Sequence, residues 1–296
     1  MARVPPHGTL RAGGRPLGIV LIIVSALFFS TAGVFTKGVS ADAWSVIFWR
    51  GVFAACLGIV YLTMMGRLRD EVRRMGRVGW LLAVIYASGT AAFIPAFKMT
   101  SVANVALIWA SAPVLAATLA WLWFRQTVST GFAVATAMVV LGTSVIVWGS
   151  VGESRLTGDL LALWMTVMMV LIMTLYRCFP YAPTTLPTVV ASLILLPIAG
   201  GLTDPLQVSP QDTVLSALFG VSFVVASVTL SEGSRHRAPG ETALLSLSET
   251  PWAILLAVLI LAEIPAGQTL LGGAIIMAAV IWYQWVMLRA ERVRPG

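Results

Sequence analysis

Long apolar runs separated by short polar breaks make up nearly the whole chain. A helix needs about 20 mostly apolar residues to cross a bilayer. Ten segments qualify: 17–37, 43–65, 78–98, 102–124, 130–149, 157–178, 184–202, 211–233, 240–261 and 267–288. The gaps carry residues that stop helices, such as Gly66, Gly152, the Thr203-Asp204-Pro205 turn and Pro265-Ala266-Gly267. Between the third and fourth runs the break rests only on Lys98, Thr100 and Ser101. The alternating ten-residue segments of a membrane β-barrel are missing from the pattern, and a helix satisfies its own backbone groups in lipid. The pattern therefore predicts an all-α integral membrane protein with ten transmembrane helices.

Composition agrees. Of 296 residues, 58% are hydrophobic and 10% charged, and mean hydropathy is +0.92. A soluble domain carries roughly 25% charged residues. These values exclude a soluble enzyme, a nucleic-acid-binding module and a disordered chain. Two cysteines (Cys56, Cys178) and two histidines (His7, His236) give no zinc spacing and no disulfide framework. There is no HExxH, P-loop or Rossmann glycine pattern, so neither a metal nor a cofactor is expected. Both cysteines read as buried, inert thiols.

The net charge of +7 takes its meaning from where the charges fall. With the N-terminus inside, all but four of the 19 basic residues lie on the inner side; Lys37, Arg50, Lys98 and Arg155 are the others. Asp42, Glu153, Asp159, Asp204, Asp212 and Glu263 fall outside. By the positive-inside rule both termini are cytoplasmic. Residues 1–16 read as a disordered basic tail and 289–296 as a second cytoplasmic tail. The run Arg67–Arg77 reads as a topology anchor in contact with anionic lipid.

Ten spans with both ends inside divide into two halves of five, and an odd count makes the halves inverted. Gly18 opens the first span and Gly158 the sixth, Lys37 and Arg177 close them, and Pro113 and Pro251 sit in the fourth and ninth. The expected units are 17–149 and 157–288. Inverted repeats are typical of secondary transporters, whose site lies near the midplane at the repeat interface.

Several stretches resemble a known family: Gly158–Trp164 (GDLLALW), Trp49–Ala55 with its arginine, Ala96–Ala103, and Leu247–Trp252 followed by Leu261–Pro265 and Gly272-Gly273. Together they are similar to the EamA branch of the drug/metabolite transporter superfamily from 17 to 288. Arg125 stands where that family often has the acid matched here by Glu263, so it receives no role. The resemblance implies a central cavity between the halves, peripheral fifth and tenth spans, and export of small metabolites by alternating access. Its better-known bacterial members export amino acids.

Ionisable residues inside a membrane are costly, which makes the few present informative. Glu249 lies about eight residues from the inner end of the ninth span, roughly 12 Å at 1.5 Å per residue. It reads either as a carboxylate that binds a substrate ammonium or takes a proton, or as a structural acid that holds the Pro251 kink. Pro251 and Pro113 would free the carbonyls of Leu247 and Trp109. Ser246, Ser248 and Ser111, the repeat counterpart of Glu249, complete the polar set. By resemblance, Tyr86, Trp109 and Trp164 fall in cavity-lining spans and would give flat apolar walls suited to an aromatic or large apolar side chain. Met168, with Met165 and Met169, would add an adaptable wall. Asn104 and Ser30 are lesser polar candidates. Arg50 could steer a carboxylate, but snorkelling to the headgroups or a structural hydrogen bond is the favoured reading.

The expected function is a secondary exporter of amino acids or related metabolites in a bacterial inner membrane. A passive facilitator, or an exporter of another metabolite or drug class, is the alternative. The expected partners are a small-molecule substrate and the lipid bilayer, with no nucleic acid. Proton coupling, and monomer against homodimer, stay open.

Overall fold

The computed structural model describes residues 14–112, 114–115, 118–119, 122, 130–149, 155–179, 181–234 and 245–293. The described elements are helical: α1 (Gly14–Ser30), α2 (Ala32–Gly38), α3 (Ala43–Met64), α4 (Leu68–Arg74), α5 (Gly76–Met99), α6 (Val102–Ala110), α7 (Thr130–Trp148), α8 (Arg155–Cys178), α9 (Leu186–Leu202), α10 (Pro210–Ser234), α11 (Glu249–Leu261) and α12 (Gly267–Val293). Five apolar helical stretches are long enough to cross a membrane: Pro16–Gly38, Ala43–Met64, Gly76–Met99, Arg155–Tyr176 and Pro210–Leu230. Among the described residues the fold is all-helical, with apolar helices long enough to cross a membrane, as the apolar pattern predicts.

Helix starts follow local chemistry. Asp42 caps α3 by accepting from the N–H groups of Trp44 and Ser45 at 2.8 and 3.2 Å. Ser101 caps α6 by accepting from Asn104 N–H at 3.0 Å, and Ser209 accepts from Asp212 N–H before α10. Gly66 ends α3 with a φ of 64°, a left-handed turn that suits glycine.

Three expected spans are not continuous helices. The first is interrupted at Thr31, between α1 and α2. The fourth is interrupted at Ser111, after α6. The ninth turns at Leu247 and Ser248, and α11 begins at Glu249. Pro251 therefore sits in the first turn of a helix, where a missing N–H costs nothing, and does not kink a helix interior. The Leu247 carbonyl is not freed, because it accepts from Thr250 N–H at 3.2 Å. Pro113, Arg125, His7 and His236 lie outside the described residues.

The helices pack in related pairs. α5 lies on α8 and α1 on α10; α5 lies on α9 and α3 on α10; α1 lies on α11 and α6 on α8. α3–α9, α6–α11 and α7–α12 each join a span to its own counterpart, and α6–α12 is a further contact outside this pattern. Exchanging the first five spans with the last five maps all but this last contact onto one another. At the α7–α12 seam the exchange reaches single atoms. A Cβ on Gly142 would stand 2.7 Å from the Gly272 carbonyl oxygen, and one on Gly272 would stand 2.5 Å from that of Gly142. Ile276 and Ile146 are the other neighbours in each case. Only glycine permits this approach, and dispersion between close backbones holds helices together in lipid. Gly272 and Gly273 are thus used within the chain, against Gly142 and Leu107.

One end of the bundle gathers the connections α2–α3, α5–α6, α9–α10 and α11–α12 with the start of α8. This acidic end holds Asp42, Asp159, Asp204, Asp212 and Glu263. The opposite, arginine-rich end holds α4, a short helix that the expected Arg67–Arg77 anchor did not foresee. Its Glu71 is buried and accepts from the N–H groups of Thr185 and Leu186 at 3.0 and 2.9 Å, capping α9. Cys178 is half-buried and Cys56 is exposed on α3, against the expectation that both are buried.

Candidate functional site

Two of the interrupted spans face each other. α6 packs on α11, and the Trp109 indole stands beside the Glu249 carboxylate across that contact. The buried Thr250 hydroxyl reaches the Ala106 carbonyl at 3.4 Å. Glu249 lies twelve residues from Leu261, about 18 Å from the acidic end at 1.5 Å per residue, well inside a core of about 30 Å. It is only partly covered. The first turn of α11 places partial positive charge there, which favours a carboxylate. Ser111 is buried at the break after α6, with its hydroxyl donated to Ile108 O at 2.6 Å. Ser248 donates to Leu245 O at 2.7 Å, and Ser246 is half-buried in the turn before it. Glu249, Trp109, Ser111, Ser246 and Ser248 thus gather at two neighbouring helix breaks.

The other candidates lie elsewhere. Tyr86 sits between two apolar clusters, beside Tyr176 in one of them. Met168 is buried at the α5–α8 seam beside Gly89. Trp164 is 51% exposed, on one stripe of α8 with Leu160 and Val167, and donates to Ser88 Oγ at 3.1 Å. Ser30 is buried and returns its hydroxyl to Leu27 O at 2.7 Å. Asn104 belongs to a closed buried network at the acidic end. Its amide donates to Asp159 at 3.0 and 3.1 Å, and its carbonyl accepts from Thr269 at 2.6 Å. Thr100 gives Asp159 a further bond of 2.6 Å. All of these partners are protein groups, which suits a tie between spans better than a ligand site.

That network is one of several seals at the acidic end. Lys37 pairs with Glu263 at 2.8 Å, and the other Glu263 oxygen accepts from Val102 N–H at 2.7 Å. Lys98 donates to Val39 O, and Asp212 accepts from Ser40 N–H at 2.9 Å. Burial alone would raise the Asp42 carboxyl. Hydrogen bonds from the Ser45 and Thr203 hydroxyls and from the Ser45 and Trp44 N–H groups outweigh it and hold the group below its ordinary value.

Arg50 overturns the expectation of snorkelling. It is 4% exposed, with its guanidinium carbon 5.2 Å from the Phe219 ring centre and 4.9 Å from that of Phe223. Sequence reasoning missed this, because both rings come from α10, about 170 residues further along the chain.

Comparison with known proteins agrees with this architecture. Residues 16–148 match the EamA-like transporter family. A solved structure, described only as the crystal structure of a protein, superposes with a TM-score of 0.66 over 92% of this chain and 98% of its own, at 18% identity, and so shares the fold. No curated protein matches the sequence.

Proposed function

We propose that this chain, whose residues 16–148 match the EamA-like transporter family, is a member of that family and exports amino acids, favouring aromatic and large apolar ones, by alternating access. The match supports a membrane transporter of small metabolites. The observation that carries the substrate class is the Glu249–Trp109 pair between two interrupted helices. A carboxylate at that depth is expensive unless it meets a cation, and the indole beside it offers a flat apolar face. The reciprocal packing of the two halves supports inverted repeats, 17–149 and 157–288, with the pair at their interface.

In proteoliposomes the purified protein should show saturable counterflow of phenylalanine. A pore would show flux without counterflow. Trp109→Ala should weaken phenylalanine more than threonine by about 1 kcal/mol, several-fold in affinity. Equal losses for both would remove the aromatic wall from the reading.

The charge asymmetry supports a bacterial inner membrane with the arginine-rich end in the cytoplasm. Reporter fusions after Arg74 and Arg292 should report cytoplasm, and one after Asp204 the outside. A cytoplasmic Asp204 would break the parity on which inverted repeats depend.

A further inference from the structure

Arg50 is the one charged side chain of α3, and its surroundings are built. Gly220 lets α10 approach closely: a Cβ there would stand 2.9 Å from Phe53 Cβ and 3.2 Å from the Arg50 carbonyl oxygen. Phe219 and Phe223 flank Gly220, so the same approach places both rings against the guanidinium. The rings are themselves fixed. Phe219 stacks on Phe35 at 5.8 Å, and Phe223 meets Phe29 edge-on at 5.9 Å. Between them the Thr31 and Ser222 hydroxyls bond at 3.0 Å, at the break between α1 and α2. Phe219 and Phe223 lie nine and thirteen residues from Pro210, about 13 and 20 Å down α10 at 1.5 Å per residue. A guanidinium nearly equidistant from both rings is therefore close to the midplane of a 30 Å core, about level with Glu249.

What this frame lacks is an anion. Among the described residues the ion pairs involve Lys37, Arg67 and Arg74, never Arg50. Arg50 Nε is buried without a hydrogen-bond partner. Aromatic faces attract a cation but fill none of its in-plane donor positions. An intramembrane arginine ordinarily pairs with an acid or a carbonyl, and lipid headgroups do not reach a side chain this covered.

We propose that Arg50, clasped between Phe219 and Phe223, binds the carboxylate of the transported molecule. The fork of the guanidinium matches a carboxylate in two parallel hydrogen bonds. A single cation suits a monoanion better than a dianionic phosphate, since Lys37 and Lys98 are engaged at the acidic end. This deepens the amino-acid reading above and rests on it for the identity of the substrate: Arg50 would take the acid group.

The test is ligand-induced thermal stabilisation of the purified full chain, with L-phenylalanine, phenylacetate, phenethylamine and inorganic phosphate as probes. Wild type should be stabilised saturably by phenylalanine and phenylacetate, and at least tenfold more weakly by phenethylamine or phosphate. Arg50→Gln should lose at least tenfold in affinity for both carboxylates. If that variant does not fold, Arg50→Lys serves, with an expected loss of about fivefold because lysine has no fork. The proposal is overturned by a folded variant that binds phenylacetate within twofold of wild type. It is equally overturned, with no variant needed, if wild type ignores both carboxylates or binds phenethylamine or phosphate as well as phenylacetate. Arg50-dependent binding of phenylacetate without any binding or movement of phenylalanine would sustain the carboxylate site and defeat the amino-acid reading.

Discussion

Glu249→Gln should bind an amine-bearing substrate about 30-fold more weakly than wild type, a loss of about 2 kcal/mol, while folding and expressing normally. Glutamine keeps the size of the side chain and one accepting oxygen. It cannot supply a charge. A hydrogen bond to a charged group away from bulk water is worth about 1.5–3 kcal/mol, which at 1.4 kcal/mol per decade gives roughly this factor. The structure removes much of the rival explanation, that the residue merely secures a proline kink. Pro251 occupies the first turn of α11, and the Leu247 carbonyl already has its donor in Thr250. A second functional role predicts a different phenotype. If the carboxylate carries a coupling proton, the glutamine variant should still exchange substrate but lose its response to a pH gradient, because exchange does not require proton reloading. Wild-type uptake kinetics in the variant at both acidic and neutral pH would leave Glu249 a structural group.

The spans were legible because lipid imposes a one-dimensional requirement, about 20 apolar residues in a row, that hydropathy reads directly. The breaks inside spans were not, since Ser111 and Leu247–Ser248 lie within runs whose overall hydropathy still reads as one span. One signal was available. Ser248-Glu249-Thr250-Pro251 has the form of a helix start, with a capping-type residue, an acid in the first turn and a proline soon after. Of the candidate site, Glu249, Trp109 and the three serines come together because they lie at corresponding breaks. Trp164 and Met168 were chosen by span, and a span does not fix which face of its helix a residue occupies. Asp159 reads from the sequence as one of the outer acids and Asn104 as a lesser polar candidate in a span; their pairing across 55 residues is a tertiary fact. Arg50 looked free to snorkel because its distance from the helix end allowed it, and Gly220 carried no sign of the approach it permits.

Glu263→Gln should open the acidic end. The Glu263 carboxylate joins three elements at one point: Lys37 at the end of α2, Val102 at the start of α6, and its own turn after α11. The turn is committed to this purpose. Ala262 adopts a left-handed φ of 52°, a conformation costing a non-glycine residue about 1–2 kcal/mol. The Glu263 N–H then closes onto the Ala257 carbonyl at 3.2 Å. Both partners of the ion pair are mostly covered, at 25% and 17% side-chain exposure, so it is stronger than a surface pair. Glutamine can still accept from Val102 but leaves Lys37 without its countercharge. In an alternating-access carrier this end must part to release substrate, and a contact made only in the closed state biases the equilibrium by its own free energy. Losing about 1–2 kcal/mol should raise the open fraction by roughly 5- to 30-fold. Thr36, the residue before Lys37, is fully buried. A Thr36→Cys reporter, with both native cysteines replaced by serine, should therefore react about tenfold faster with an impermeant maleimide when Glu263→Gln is added. Lys37→Met should accelerate the same reporter, and the double variant should add little, because both changes remove one interaction. Unchanged labelling in all three would show that the acidic end is held by Asp159, Asp212 and Lys98 without help from Glu263.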